Sequence, residues 1–319
     1  MRPFTPGCPD RNVMPMPLTL RQTDPTSSQR QTERDRMKPG RERVGTRGQR
    51  RGVPIRRSAW SLIAVVLVSL GLAAPAGATP GPPLDVPLAK LQAGLHCDSN
   101  IASASKPAVL LVPGTFVSLE QDYGPNFMKL LPAHGYPVCT VVYPNEGATD
   151  TQVSVQYIVY AIRRMSELTG RRVDVIGHSQ GAWLPGYALR FWPDLARKVD
   201  DFIGYPGVWT YGSDTASTVC AVKLCPAAFQ QAAHGSKHMA ALARMPFPAG
   251  PSYTSFMTLT DEAVTPQPLA STIVAPGARN FIQQDLCPLD VDERVTMIDE
   301  APFAALALDA LTGKRSETL

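Results

Sequence analysis

The chain is expected to fold as an α/β protein with a mostly parallel sheet and helices on both faces. Three observations lead there: short, wholly apolar runs that stop at turn residues, a long stretch between two of them with apolar residues at helical spacing, and the alternation of the two patterns along the sequence.

The first apolar run follows Lys106-Pro107, spans Ala108 to Val112 and stops at Pro113-Gly114, as a strand buried on both faces would. Val138 to Tyr143 and Val173 to Ile176 have the same character. Between these two, Asp150 or Thr151 can cap a helix in which Val153, Tyr157, Tyr160, Ala161, Met165 and Leu168 recur at helical spacing, and Gly170 can end it. Further on, a helix is expected near Trp183 to Phe191, a strand near Asp201 to Gly204, and β structure over Tyr253 to Leu259. A strand near Asn280 to Gln283 and a helix from Pro302 to Leu311 complete the series. Ligands of such sheets bind at the carboxyl ends of the strands.

Charge is unevenly spread. The first 57 residues hold 14 of the 31 Lys and Arg and 5 of the 27 Asp and Glu, which leaves 17 basic against 22 acidic side chains in the rest. The net charge of +4 therefore belongs to the leader, and the mildly acidic body offers no electrostatic footprint for nucleic acid. Residues 1–36, rich in Arg, Pro, Gln and Thr, read as disorder or as a start placed upstream of a true initiator at Met37. The uncharged run from Ser58 to Ala78 follows Arg56-Arg57, is apolar from Trp60 to Leu72 and ends in Ala76-Gly77-Ala78, the layout of a secretory signal peptide. Its apolar centre falls short of the ~20 residues of a spanning helix, so secretion is expected rather than anchoring. The Arg pairs at 50–51 and 56–57 hint at twin-arginine export. The organisation is then a basic leader over 1–57, the signal peptide's apolar and cleavage regions over 58–78, and one domain over 79–319.

Cys97, Cys139, Cys220, Cys225 and Cys287 remain after cleavage, and in an exported chain they are expected to pair. Five cannot all do so within one chain, and spacing alone does not say which is left over.

Directly after the third apolar run stands Gly177-His178-Ser179-Gln180-Gly181, a G-x-S-x-G pentapeptide between strand and helix. Small residues on either side let the chain turn sharply and lift the Ser179 hydroxyl above the sheet, while the next backbone N–H points at a developing oxyanion. The bland alternative is an ordinary glycine-flanked turn. Pro113-Gly114-Thr115, at the end of the first strand, can supply a backbone N–H and a hydroxyl to the same oxyanion hole. Thr260-Asp261-Glu262 ends the Tyr253 to Leu259 segment about 80 residues after the serine, where an acid belongs in the order Ser, Asp, His, although an acid there is more often a solvated loop residue.

With these residues in view, the chain resembles the α/β-hydrolase lipases related to Candida antarctica lipase B, together with the bacterial class 2 (triacylglycerol) lipases. The matching text is Gly94 to Cys97, Lys106 to Thr115, Gly135 to Cys139, Asp150 to Val153, Ser179-Gln180-Gly181, Phe191 to Asp200 and Thr260 to Glu262, in order over residues 90–270. The resemblance implies Ser179 as nucleophile, Asp261 as the acid that orients the base, Thr115 and Gln180 as oxyanion donors, and a Cys97–Cys139 disulfide. Cys220 and Cys225 then close a small loop and Cys287 is left odd. The implied function is a secreted lipase or esterase that cleaves lipid or short-chain esters through an acyl-enzyme, as a monomer with transient contact to a lipid interface. No metal or organic cofactor is implied.

The chain departs from the family at the base. Where the family places its histidine, before the last helix, the text runs from Val291 to Pro302 without one, and no His follows His238. Counting back from Phe303 to Leu311 puts Arg294 at that place, and a shifted alignment puts Glu300 there. Losing one triad member costs about 10⁴ to 10⁶ in kcat, although an oxyanion hole keeps ~10³ over water. Three readings follow. Another group substitutes, with His234, His238, Glu300 or Asp299 as candidates and His178 facing away; or the chain is a catalytically silent, lipid-binding relative; or the sequence is in error over 287–300. A second departure is Tyr205-Pro206-Gly207, where relatives carry a polar residue after the proline. Trp183, Trp192, Trp209 and Phe256 could line an acyl tunnel or be plain core.

Overall fold

The computed structural model describes residues 80–221 and 225–313. The expectations for the leader and signal peptide lie outside them.

Seven strands, β1 (Leu95–Cys97), β2 (Val109–Val112), β3 (Val138–Val141), β4 (Val173–His178), β5 (Val199–Tyr205), β6 (Ser252–Met257) and β7 (Arg279–Ile282), make one sheet in the order β1-β3-β2-β4-β5-β6-β7. Only β1 runs antiparallel. The helices are α1 (Leu88–Ala93), α2 (Leu119–Tyr123), α3 (Phe127–Ala133), α4 (Thr151–Thr169), α5 (Gln180–Phe191), α6 (Asp214–Cys220), α7 (Ala227–Ala232), α8 (Lys237–Ala243), α9 (Gln283–Leu286), α10 (Arg294–Met297) and α11 (Ala301–Leu311).

The apolar runs are central strands for the reason their sequence suggests. Leu110, Val112, Val175 and Phe202 face a core closed by Ile158 and Leu184, while Val109, Leu111, Ile176 and Ile203 face a second core closed by Phe127 and Phe303. Alternation with period two thus divides uniformly apolar strands between two helical layers. Asp150 caps α4, its carboxylate accepting from Gln152 N–H at 2.8 Å, and Gly170 ends the helix at φ 63°. The buried stripe of α4 is shifted from the expected one. Val155, Ile158, Val159, Ile162 and Met165 are buried, whereas Val153 and Leu168 are exposed, because the helix packs against α5 as well as the sheet.

Several elements were not foreseen. Strand β1 has three residues, and α2, α3, α6, α7 and α8 have five to seven each, too short for periodicity to register. Helix α11 starts at Ala301, with Pro302 in its first turn, where a missing N–H costs nothing. Among the described residues no helix is long and apolar enough to cross a membrane.

Cys97 and Cys139 are cross-strand partners of β1 and β3 and are joined by a disulfide, as is the Cys220 and Cys225 pair. Cys287 corrects an expectation: it is buried and disulfide-bonded, not odd. Cys97 and Cys139 stand 42 residues apart, so their bond removes much loop entropy from the unfolded chain. Replacing both by serine is expected to lower unfolding stability by about 2–4 kcal/mol, read as a lower urea midpoint at unchanged slope.

Candidate functional site

Ser179 follows β4 directly and opens α5, with φ 54° and ψ −120°, a backbone conformation that a residue with a side chain adopts only under constraint. Two contacts impose it. Its N–H donates to the Tyr205 carbonyl at 3.0 Å. The flanking glycines let strand and helix close on each other: a Cβ on Gly181 would fall onto the Val112 carbonyl, and one on Gly177 onto the Gly181 carbonyl. The pentapeptide needs its glycines for packing as much as for turning.

Ser179 lines a cavity with Thr115, Gln180 and Arg294 as its other large polar groups and with Phe116, Trp183, Val208, Phe229 and Val264 on its apolar walls. The turn after β2 is held atom by atom. Tyr123 donates its hydroxyl to the Val112 carbonyl at 2.7 Å, Tyr143 donates to the Pro113 carbonyl, and Gly114 N–H donates to Asp122 at 2.9 Å. The Thr115 hydroxyl donates to Gln180 Oε1 at 2.7 Å, and the Gln180 amide donates to the Gly147 carbonyl at 2.9 Å. Thr115 and Gln180 do meet beside Ser179, but the hydroxyl expected to face an oxyanion is already committed to Gln180.

Asp261 lies just beyond β6, its side chain fully buried, with Oδ1 accepting from Ala263 N–H at 2.9 Å and Val264 N–H at 2.8 Å. Arg294, at the start of α10, reaches the same oxygen at 3.3 Å and also lines the cavity, with Glu293 at 3.6 Å on its outer side. The count back from the last helix thus identified the residue that stands beside Asp261 at the serine's cavity, and that residue is a guanidinium, which gives up no proton at working pH.

No histidine among the described residues lines this cavity. His234 stacks on Tyr211 at 3.9 Å, with Nδ1 2.9 Å from the Tyr211 carbonyl. His238 lies edge-on to Trp183 and Tyr187 and lines a different cavity with Gln152 and Gln230, and burial lowers its pKa to about 4. Trp183 separates the two cavities. His178 faces away from the serine's cavity, as expected, and is buried beside Asp122, a residue the sequence did not single out. Trp183 is the one proposed tunnel aromatic at the cavity; Trp192, Trp209 and Phe256 are core. A side chain at Gly207 would run into Trp209 at 2.8 Å, which accounts for the missing polar residue there.

Asp299 accepts from the Asn126 amide at 2.6 Å, and Glu300 stands at the residue before α11, both away from the cavity. Glu300 has its pKa pushed up to about 9, first by burial and then by Asp290 and Asp292, with which it forms a group of carboxylates within 4.8 Å. Asp174, Asp200 and Asp201 gather in the same way, and burial raises both Asp174 and Asp201. Because folding raises the Glu300 pKa, its protonated form adds stability that is fully present below about pH 4.5 and is lost as pH rises toward 9. Glu300→Gln, which mimics the protonated acid, is expected to melt several degrees higher than the parent at pH 8 and alongside it at pH 5. Equal melting at pH 8 would contradict this.

No family model matches the chain. Over 229 residues it is 33% identical to Lipase B of Pseudozyma antarctica, across 67% of this chain and 63% of that protein. Its fold is similar to that of Aspergillus fumigatus lipase B, with a TM-score of 0.65 and 24% identity over 81% of this chain and 63% of the other. It is also similar to a Bacillus licheniformis lipase in its mature form, with a TM-score of 0.51 and 16% identity over 72% and 96%. The chain thus spans 63% of the length of the first two relatives.

Proposed function

Given that the chain is a lipase-like α/β-hydrolase, we propose that it cleaves carboxylic esters through an acyl-enzyme on Ser179. The observation that carries the reading is the strained Ser179 backbone at the carboxyl end of β4, which presents its hydroxyl to a largely apolar cavity. The ester's acyl chain lies along Trp183, Val208 and Val264. Ser179 Oγ attacks the carbonyl carbon, and the carbonyl oxygen becomes an oxyanion held by the backbone N–H groups of Thr115 and Gln180. Collapse expels the alkoxide, which takes a proton from water to leave as the alcohol, and water then attacks the acyl-serine, releasing the carboxylic acid and restoring the Ser179 hydroxyl.

Arg294 cannot take the serine's proton. It stays a cation beside the nucleophile, tethered by Asp261, and favours the alkoxide, while the proton leaves to water or hydroxide in the open cavity. Turnover by this route is slow and climbs steadily with pH instead of levelling near the histidine pKa of ~6.5. The substrates fitting these walls are lipid or short-chain esters. Exposed Phe116 at the cavity and Val295 beside Arg294 serve transient contact with a lipid surface. The disulfides suit an exported, extracellular chain.

The test is hydrolysis of p-nitrophenyl butyrate by the purified chain and its Ser179→Ala variant, with mass spectrometry of the trapped acyl-enzyme. The parent is expected to turn over slowly and carry the acyl group on Ser179, and Ser179→Ala to lose the adduct and at least about tenfold in rate. A parent without turnover that still binds fatty acid would make the chain the silent lipid-binding relative.

A further inference from the structure

We propose that the buried Asp122–His178 pair is a positioning device that locks the oxyanion turn to the nucleophile's strand. The proposal rests on Ser179 being the nucleophile. Asp122 comes from α2 and His178 is the last residue of β4, immediately before Ser179. One carboxylate oxygen, Oδ2, accepts Gly114 N–H at 2.9 Å, and the other, Oδ1, lies 2.6 Å from His178 Nδ1. The two side chains are 1% and 2% exposed, respectively. The contact is close on all sides: a Cβ on Gly114 would come within 3.3 Å of the Ser179 Cβ and 3.4 Å of His178 Nδ1.

A carboxylate taken this far from water needs neighbours that favour it, and here Oδ2 accepts a hydrogen bond from one, and Oδ1 is in close contact with the other, of the two pieces of chain whose spacing decides whether an oxyanion is held. By accepting Gly114 N–H, Asp122 fixes the peptide plane that precedes the Thr115 N–H. Its neighbour Tyr123 fixes the Val112 carbonyl from the same helix, so α2 grips the turn at two points. The helix is itself pinned by a reciprocal cap, Ser118 accepting from Gln121 N–H while the Gln121 side chain accepts from Ser118 N–H. On the other side the imidazole Nδ1 stands 2.6 Å from Asp122 Oδ1, and Nε2 is buried without a hydrogen-bond partner among the described residues. An apolar pair of the same volume would stabilise the fold as well or better, so the return on burying these two polar groups is orientation.

The test compares the full chain with its Asp122→Ala and Asp122→Asn variants by two readouts that need no turnover, and adds steady-state kinetics. The first is the affinity of n-butylboronic acid, which forms a tetrahedral adduct on Ser179 with an oxygen in the oxyanion hole. The second is the His178 Nδ1 proton in the NMR spectrum, expected far downfield of the amide envelope. Asp122→Ala should bind the boronate about ten- to a hundredfold more weakly and lose a similar factor in kcat, with KM changed less than twofold. Asp122→Asn keeps an acceptor for Gly114 N–H, so it should recover part of the affinity while losing the downfield proton; it also carries the test should Asp122→Ala fail to fold. Unchanged boronate affinity in both folded variants, or a parent with no such proton, would overturn the proposal. A parent that does not turn over esters would remove the hydrolase reading and leave the boronate and NMR arms to judge the pair.

Discussion

Arg294→His is expected to raise kcat for p-nitrophenyl butyrate by about 10² to 10⁴-fold, the usual contribution of a positioned general base. Arg294 already lies 3.3 Å from Asp261 and lines the serine's cavity, so an imidazole on the same backbone starts beside the carboxylate that would orient it. Asp261 is ready for that role: its carboxylate is buried, two backbone N–H groups fix Oδ1, and Oδ2 has no hydrogen bond among the described residues. The pH profile should change shape with the rate, rising through ~6.5 and then flattening as the imidazole loses its proton. Adding Asp261→Asn should cancel most of the gain, since a misoriented or wrongly protonated base costs about 10⁴. An Arg294→His variant no faster than the parent would show that Asp261 and Ser179 are not spaced for a bridging imidazole.

Gly181→Ala is expected to cost more than about 4 kcal/mol and to leave little folded protein, although it adds a single methyl group to a helix. The methyl carbon would overlap the Val112 and Pro113 carbonyl oxygens. Neither can retreat, because Val112 is paired in the sheet with Gly177, and the Pro113 carbonyl is held by Tyr143. Gly135 provides the contrast. Its φ is 79°, but a Cβ there meets nothing within 4 Å, so Gly135→Ala should cost only the ~1–2 kcal/mol of the left-handed conformation. Urea midpoints of the two variants separate crowding from strain, and similar midpoints would refute the packing role given to Gly181.

The central strands and long helices could be read because each is a local statement: Val109 to Val112 is apolar throughout since both its faces are covered, and Asp150 and Gly170 mark helix ends by their own chemistry. The sharp turn at Ser179 was legible for the same reason, its glycines and serine being contiguous. Arg294 could be found by counting from a helix, but its partnership with Asp261 spans 33 residues and belongs to the fold. Asp122 gave no signal at all, since its meaning depends on Gly114 and His178 arriving on other elements. The histidines were misleading in the opposite way. His234 and His238 are close to the right region of sequence, yet a tyrosine holds one and Trp183 walls off the other.

The two halves of the site differ in how they are held. Strand β4 lies between both cores, and every one of its residues is buried, so the amides leading to Ser179 should exchange with solvent only when the whole domain unfolds. The stretch from α9 to α10 contains two helices of four residues each and carries Leu289 and Val291 bare on its surface, anchored inward by Met297 and Ile298. It is held by the Cys287 disulfide and by the Thr258 and Thr260 hydroxyls, which donate to the Asp292 carbonyl at 3.1 and 2.9 Å. Ser179 is thus seated in the sheet itself, whereas Arg294 stands on a short helix tied to the body by a disulfide and a few side-chain bonds, and any group installed there, guanidinium or imidazole, is aimed by those attachments and not by the sheet.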